Sequence, residues 1–199
     1  MNPQTFIFFG PSGSGKGTQA RLLIEELKKR NPERRTLYLE TGEKLREFAE
    51  EASLTSSLTK ETLDRGELLP EFLPIWIWTE YLVRHLSGHE HLFIDGSPRK
   101  LDEAAILDSA IRFYKREKPM VVSIEVSEAW ANERLKARGR SDDNDAEIAK
   151  RLLWYKENVL PAIEFFKNNP YYQFVSISGE RSIEEVHAEL LTRTNLQTF

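Results

Sequence analysis

Gly10-Pro11-Ser12-Gly13-Ser14-Gly15-Lys16-Gly17-Thr18 follows an apolar run, Thr5 to Phe9, and opens directly into a helical pattern with Ala20, Leu23, Ile24 and Leu27 on one face. Glycines let successive backbone N–H groups turn toward a common point, and a helix N-terminus adds partial positive charge. Such a loop cradles a polyphosphate, with Lys16 reaching its outer phosphates. The general pattern has Ser or Thr directly after the lysine, whereas here Gly17 intervenes before Thr18. A glycine-rich turn with a solvated lysine is the plain alternative, and the strand before and helix after argue against it.

Four further short runs rich in β-branched and aromatic residues read as strands: Thr36 to Leu39, Leu92 to Ile94, Met120 to Val126 and Tyr172 to Ile177. Helical patterns separate them, and Ser182 with Glu185 forms a capping box opening a last helix. Strands alternating with helices imply an α/β fold whose parallel sheet is covered on both faces. Ligands of such sheets bind beyond the carboxyl ends of the strands, where the glycine loop falls.

The chain has 199 residues, 40% of them hydrophobic, enough for one sizeable core, so a single domain over 1–199 is expected. Its 28 Lys and Arg stand against 32 Asp and Glu, a net charge of −4, which provides no global field for nucleic acid. Lack of cysteine excludes disulfides and thiolate zinc sites and suits a reducing cytosol. The N-terminal apolar run is too short for a signal-peptide core. The stretch from Phe72 to Leu86 is interrupted by Pro74, Glu80 and Arg84, short of the roughly 18 apolar residues of a membrane span, and reads as a buried amphipathic helix.

Gly15-Lys16-Gly17-Thr18-Gln19 resembles the loop of adenylate kinases and their UMP/CMP kinase relatives, and further segments follow in that family's order over nearly the whole chain. Thr41-Gly42-Glu43-Lys44-Leu45-Arg46 is similar to the start of the AMP-binding segment, and Gly66-Glu67-Leu68-Leu69-Pro70 to its end. Asp95-Gly96-Ser97-Pro98-Arg99 resembles the family's Asp-Gly-Phe-Pro-Arg. The stretch from Arg134 through Arg138, Gly139 and Arg140 to Asn144 resembles the lid, and Arg151-Leu152-Leu153-Trp154-Tyr155 the helix after it. The resemblance implies a P-loop three-layer sandwich with a five-stranded parallel sheet, a helical monophosphate-binding segment at about 40–69 and a very short lid at about 138–144.

By the same resemblance the activity is reversible phosphoryl transfer, ATP plus AMP to two ADP, with magnesium and without zinc, in a cytoplasmic monomer. Lys16, Arg99, Arg138, Arg140 and Arg151 take the catalytic roles. Gly13, Ser14, Gly15, Lys16, Gly17, Thr18, Arg134, Arg138 and Arg181 bind ATP. AMP falls to Thr41, Arg46, Glu67, Leu68, Leu69, Gly96, Arg99, Glu103, Arg140 and Arg151. Thr18 and Asp95 face the magnesium, mainly through water. Arginine suits these tasks because its planar guanidinium binds phosphate oxygens in pairs and stays charged. The attacking phosphate oxygen is already anionic, so no general base is needed.

Glu43 stands where the family has Asp, Ser97 where it has Phe, and Glu103 where it has the glutamine that reads adenine. Thr41 favours AMP, while Glu103 favours another acceptor such as GMP or UMP/CMP. A P-loop binding module or NTPase is the reading outside the class, and Arg46 and Arg99 argue against it because such a protein has no acceptor. Three other features are given plain readings. His85, His89 and His91 are expected in a solvated loop, Trp76, Trp78, Trp130 and Trp154 in packing, and Asp142, Asp143 and Asp145 in helix capping.

Overall fold

A computed structural model describes residues 2–139 and 144–196. The five apolar runs become β1 (Thr5–Phe9), β2 (Thr36–Glu40), β3 (His91–Asp95), β4 (Met120–Glu125) and β5 (Gln173–Ser178). They form one sheet in the order β2-β3-β1-β4-β5, every neighbouring pair parallel. The strand ends differ from expectation by a residue or so. β2 extends to Glu40 and β3 to Asp95, which pair in register, because a ladder is set by its partner rather than by where apolar character stops.

Successive residues of a strand face opposite sides, so β1 feeds two cores. Phe6 and Phe8 pack with Ala20, Leu23, Ile24 and Leu27 of α1 (Lys16–Arg30) and with Val186 and Leu190 near the C-terminus. Ile7 and Phe9 pack on the other side with α4 (Phe72–His85), α5 (Leu101–Phe113) and α8 (Leu160–Lys167). The last helix, α9 (Ile183–Arg193), starts at the expected capping box of Ser182 and Glu185. The result is a three-layer α/β sandwich.

A third, smaller cluster lies to one side. Leu45 of α2 (Thr41–Ala49) meets Leu69, Leu73 and Ile77, with Leu63 of α3 (Leu54–Asp64) partly buried against them. This is the expected helical segment. The chain after β4 forms α6 (Glu128–Arg138) and α7 (Asp145–Trp154), which runs through a π-helical turn, Tyr155–Val159, into α8. Asn144 caps α7, its side chain accepting from the Glu147 N–H. Of the acidic run only Asp145 lies within the described residues, in the first turn of α7.

His91 departs from the solvated-loop reading. It is the first residue of β3, with no exposed surface, and its Nδ1 accepts from the Gln4 N–H at 3.0 Å. Burial, then the charges of Arg34 and Arg116, hold its pKa down at about 4. No helix among the described residues is long and apolar enough to cross a membrane.

Candidate active site

β1 ends at Phe9 and α1 begins at Lys16, so the glycine loop turns from strand to helix at the carboxyl edge of the sheet. Gly15 is the N-cap of α1 with φ +86°, in the left-handed region that a side chain disfavours. No side chain caps the helix, so its first N–H groups are open to an anion. A cavity of about 410 Å³ lies over this end of α1.

Gly13, Ser14, Gly15, Lys16, Gly17 and Thr18 form its floor. Asp95, Gly96 and Arg99 enter from the end of β3, and Arg46 and Glu67 from the helical segment. Arg134 and Arg138 of α6, Arg151 of α7 and Arg181 after β5 complete the wall. The structure thus gathers cations from six separate parts of a chain whose overall charge is negative. Arg140 and most of the lid, residues 140–143, lie outside the described residues.

Burial lowers the pKa of Lys16, with Arg99 and Arg138 acting in the same direction and Asp95 opposing. Burial likewise lowers that of Arg99, helped by Arg46 and Arg151. Asp95 is pushed up by burial, against the pull of Lys16. These opposed influences describe a crowded positive site that gains from a polyanion. Gly42 marks how closely the arginines converge: the position a Cβ would take there is 3.3 Å from Arg46 Nη1 and 3.5 Å from Arg99 Nη2.

Four expected residues line no part of the cavity. Thr41 is buried with its hydroxyl unpartnered, and Leu69 packs in the third cluster. Leu68 is partly buried beside it. Glu103 is buried in the first turn of α5 and accepts from the Arg99 backbone N–H at 3.0 Å. Its carboxylate thereby closes the start of α5.

Several cavity residues were not expected. Glu40, at the end of β2, pairs with Arg21 at 2.9 Å and with Arg46 at 3.6 Å. Behind the lining, Tyr38, two residues earlier, donates to Asp95 Oδ2 at 3.1 Å, and burial with the nearby carboxylates Asp95 and Glu40 raises its pKa. Only Trp78 of the four tryptophans is wholly core, at 1% exposure. Trp130 lies under Arg134 at 4.8 Å and Trp154 under Arg99 at 5.3 Å, and both line the cavity. The signal was available, since Trp130 precedes Arg134 by one helical turn and so shares its face.

Comparison with known proteins agrees with this geometry. Residues 8–171 match the family model described as adenylate kinase. The chain is 35% identical to the adenylate kinase of a Synechococcus species over 183 residues, covering 92% of this chain and 94% of that one. It is 34% identical to the adenylate kinase of Parasynechococcus marenigrum, covering 90% and 92%, and 31% identical to that of Prochlorococcus marinus, covering 92% and 94%. Residues 8–171 take in the glycine loop, β2, β3, β4 and the arginines from Arg46 to Arg151, and the chain belongs to the adenylate kinase family.

Proposed function

We propose that the protein moves the γ-phosphoryl group of ATP to AMP, reversibly, giving two ADP. The observation that carries this reading is the convergence of Arg46 and Arg99 beside Gly42, in the same cavity as the glycine loop. A protein that only binds or hydrolyses ATP has no second phosphate for such a pair. With Glu103 turned to the Arg99 backbone, the reason to prefer a guanine acceptor is removed, and AMP is the acceptor of this reading.

The loop N–H groups and the start of α1 hold the donor's phosphates, with Lys16 on the outer ones. Arg46 and Arg99 hold the acceptor phosphate, and Arg138, Arg151 and Arg140 close on the group in transit. An acceptor phosphate oxygen attacks the γ-phosphorus, the bond to the bridging oxygen breaks, and ADP leaves with its charge spread over these cations. No proton is removed from the nucleophile. Arg134 and Arg181 flank the donor base, and the Trp130 ring under Arg134 orients that guanidinium.

The residues fit magnesium. Asp95 Oδ1 is buried without a hydrogen-bond partner, and its carboxylate points to the start of α1, where Thr18 also lines the cavity. These two would hold the ion, largely through its waters, and the ion would neutralise charge on the donor phosphates. The reading takes 1–199 as one catalytic domain acting as a cytoplasmic monomer, with a monophosphate segment at about 40–69 and a lid at about 138–144. Purified protein with magnesium ATP should form ADP only when AMP is added. ATP turnover indifferent to every monophosphate would sink the reading.

A further inference from the structure

Arg99 must present its terminal N–H groups to a phosphate while standing among other cations. Burial disfavours its charge, and Arg46 and Arg151 add to the effect. Its Nε is taken up by the Gly96 carbonyl at 2.8 Å, which fixes one edge of the guanidinium. Something must hold the plane without consuming the other donors. The Trp154 ring does so, with the guanidinium carbon 5.3 Å from its centroid. A ring face attracts the cation through its quadrupole and accepts no in-plane N–H bond, so both terminal nitrogens stay available.

The same indole makes a second contact. Its N–H donates to the carbonyl of Gly66 at 3.3 Å, at the corner where α3 turns toward α4. One turn earlier on α7, Lys150 donates to the Arg65 carbonyl at 3.1 Å. Gly66 sits against the buried Glu147, whose side chain occupies the space a Cβ there would need. α7 therefore grips the Arg65–Gly66 corner at three consecutive positions of one helical face. Of these, Trp154 also lies against Arg99 with its ring, while the Glu147 carbonyl accepts from Arg151 Nε at 3.3 Å.

We propose that Trp154 is a positioning residue for the acceptor half of the reaction, docking the Gly66 corner of the acceptor segment through its N–H while orienting Arg99 with its ring. The proposal rests on the reading of Arg99 as an acceptor-phosphate ligand. It divides one side chain into two separable functions. Docking sets how often the acceptor segment is in place, and so bears on the KM for AMP. Ring contact sets the aim of Arg99 during transfer, and so bears on kcat.

The test varies AMP at saturating magnesium ATP and follows hydrogen exchange over residues 54–70 in nucleotide-free protein. Trp154→Phe keeps a ring and loses the donor, so its KM for AMP should rise about 3- to 10-fold with kcat near that of the wild type, and exchange should quicken. Trp154→Leu loses both and should in addition lower kcat about 3- to 30-fold. Lys150→Met should raise KM and exchange and leave kcat alone. Trp154→Phe with unchanged KM and exchange would overturn the proposal. So would a Trp154→Leu protein that melts earlier yet keeps both kinetic constants, since that is the pattern of a merely structural tryptophan. Wild-type protein without AMP-dependent turnover would instead overturn the proposed function, while the exchange comparison, which needs no turnover, still decides whether Trp154 docks the corner.

Discussion

At the residue scale, the loss of a single charge separates folding from chemistry. Lys16 and Arg99 both open into the cavity and stand on a backbone fixed by strands and glycines. Removing either charge should leave the fold intact and reduce turnover by ~1,000-fold or more, the scale seen when one charge-stabilising group is lost from phosphoryl transfer. Initial rates and thermal melts of Lys16→Ala and Arg99→Ala, taken together, check this. Glu103 gives the opposite expectation. Because its carboxylate accepts the Arg99 N–H outside the cavity, Glu103→Gln retains an acceptor and should leave the ratio of kcat/KM for AMP over GMP within about twofold of the wild type. A shift in that ratio beyond tenfold would return Glu103 to the acceptor base. Its position could not be read from the sequence, since a carboxylate in a helix's first turn serves a ligand or a nearby N–H equally well, and only the path of Pro98 to Lys100 decides.

His91 carries a residue-scale effect on stability. In the unfolded chain it takes up a proton below about pH 6.5, while in the fold it stays neutral down to about pH 4. Between those values the unfolded state binds more protons, so stability rises with pH across the window and is lost on acidification. The loss should be on the order of 1–3 kcal/mol between pH 6.5 and pH 4. His91→Asn, which can still accept the Gln4 N–H, should flatten this part of the pH dependence of the urea midpoint. A wild-type midpoint indifferent to pH over this interval would contradict the buried neutral imidazole. The sequence hid this residue because the polar run from Ser87 to Glu90 looks like continuous loop, while β3 begins one residue later.

At the scale of elements, the α2–α4 segment is the part least able to stand alone. It has a small cluster of its own around Leu45, Leu69, Leu73 and Ile77, and α7 holds its Arg65–Gly66 corner. Gly66 has φ +64° and no room for a Cβ because Glu147 fills the space. Gly66→Ala should therefore cost on the order of 1 kcal/mol from backbone conformation alone. It should also raise the KM for AMP more than the KM for ATP, as measured by varying each nucleotide in turn. Equal KM values for variant and wild type would show that the corner does not govern the acceptor. Strands and long helices were legible here because period-two and period-3.6 patterns are local properties. The docking of α7 on Gly66 was not, because its donors, Lys150 and Trp154, lie over 80 residues away in sequence. A tryptophan within an amphipathic pattern reads as packing.

At the scale of the whole molecule, the strand order β2-β3-β1-β4-β5 turns back at β1, and the connections leaving β1 and β3 diverge to opposite faces. That opens a crevice at the carboxyl edge, with the start of α1 beneath it. Six cation-bearing parts of the chain reach this crevice, which gives an acidic protein a local positive site for phosphates. The loop, the sheet and the arginines were readable in sequence because the chemistry restricts which residues can serve. The tryptophan under Arg99 was not, because many side chains can brace an arginine, whereas the one-turn spacing of Trp130 and Arg134 offered a signal. The central claim is that the second phosphate site beside Gly42 exists to accept a phosphoryl group. Its most direct test is ADP formation from magnesium ATP by wild type and Arg99→Ala, with and without AMP. The account predicts AMP-dependent ADP formation in the wild type that falls by ~1,000-fold in the folded variant. Near wild-type, AMP-dependent turnover in Arg99→Ala would contradict it.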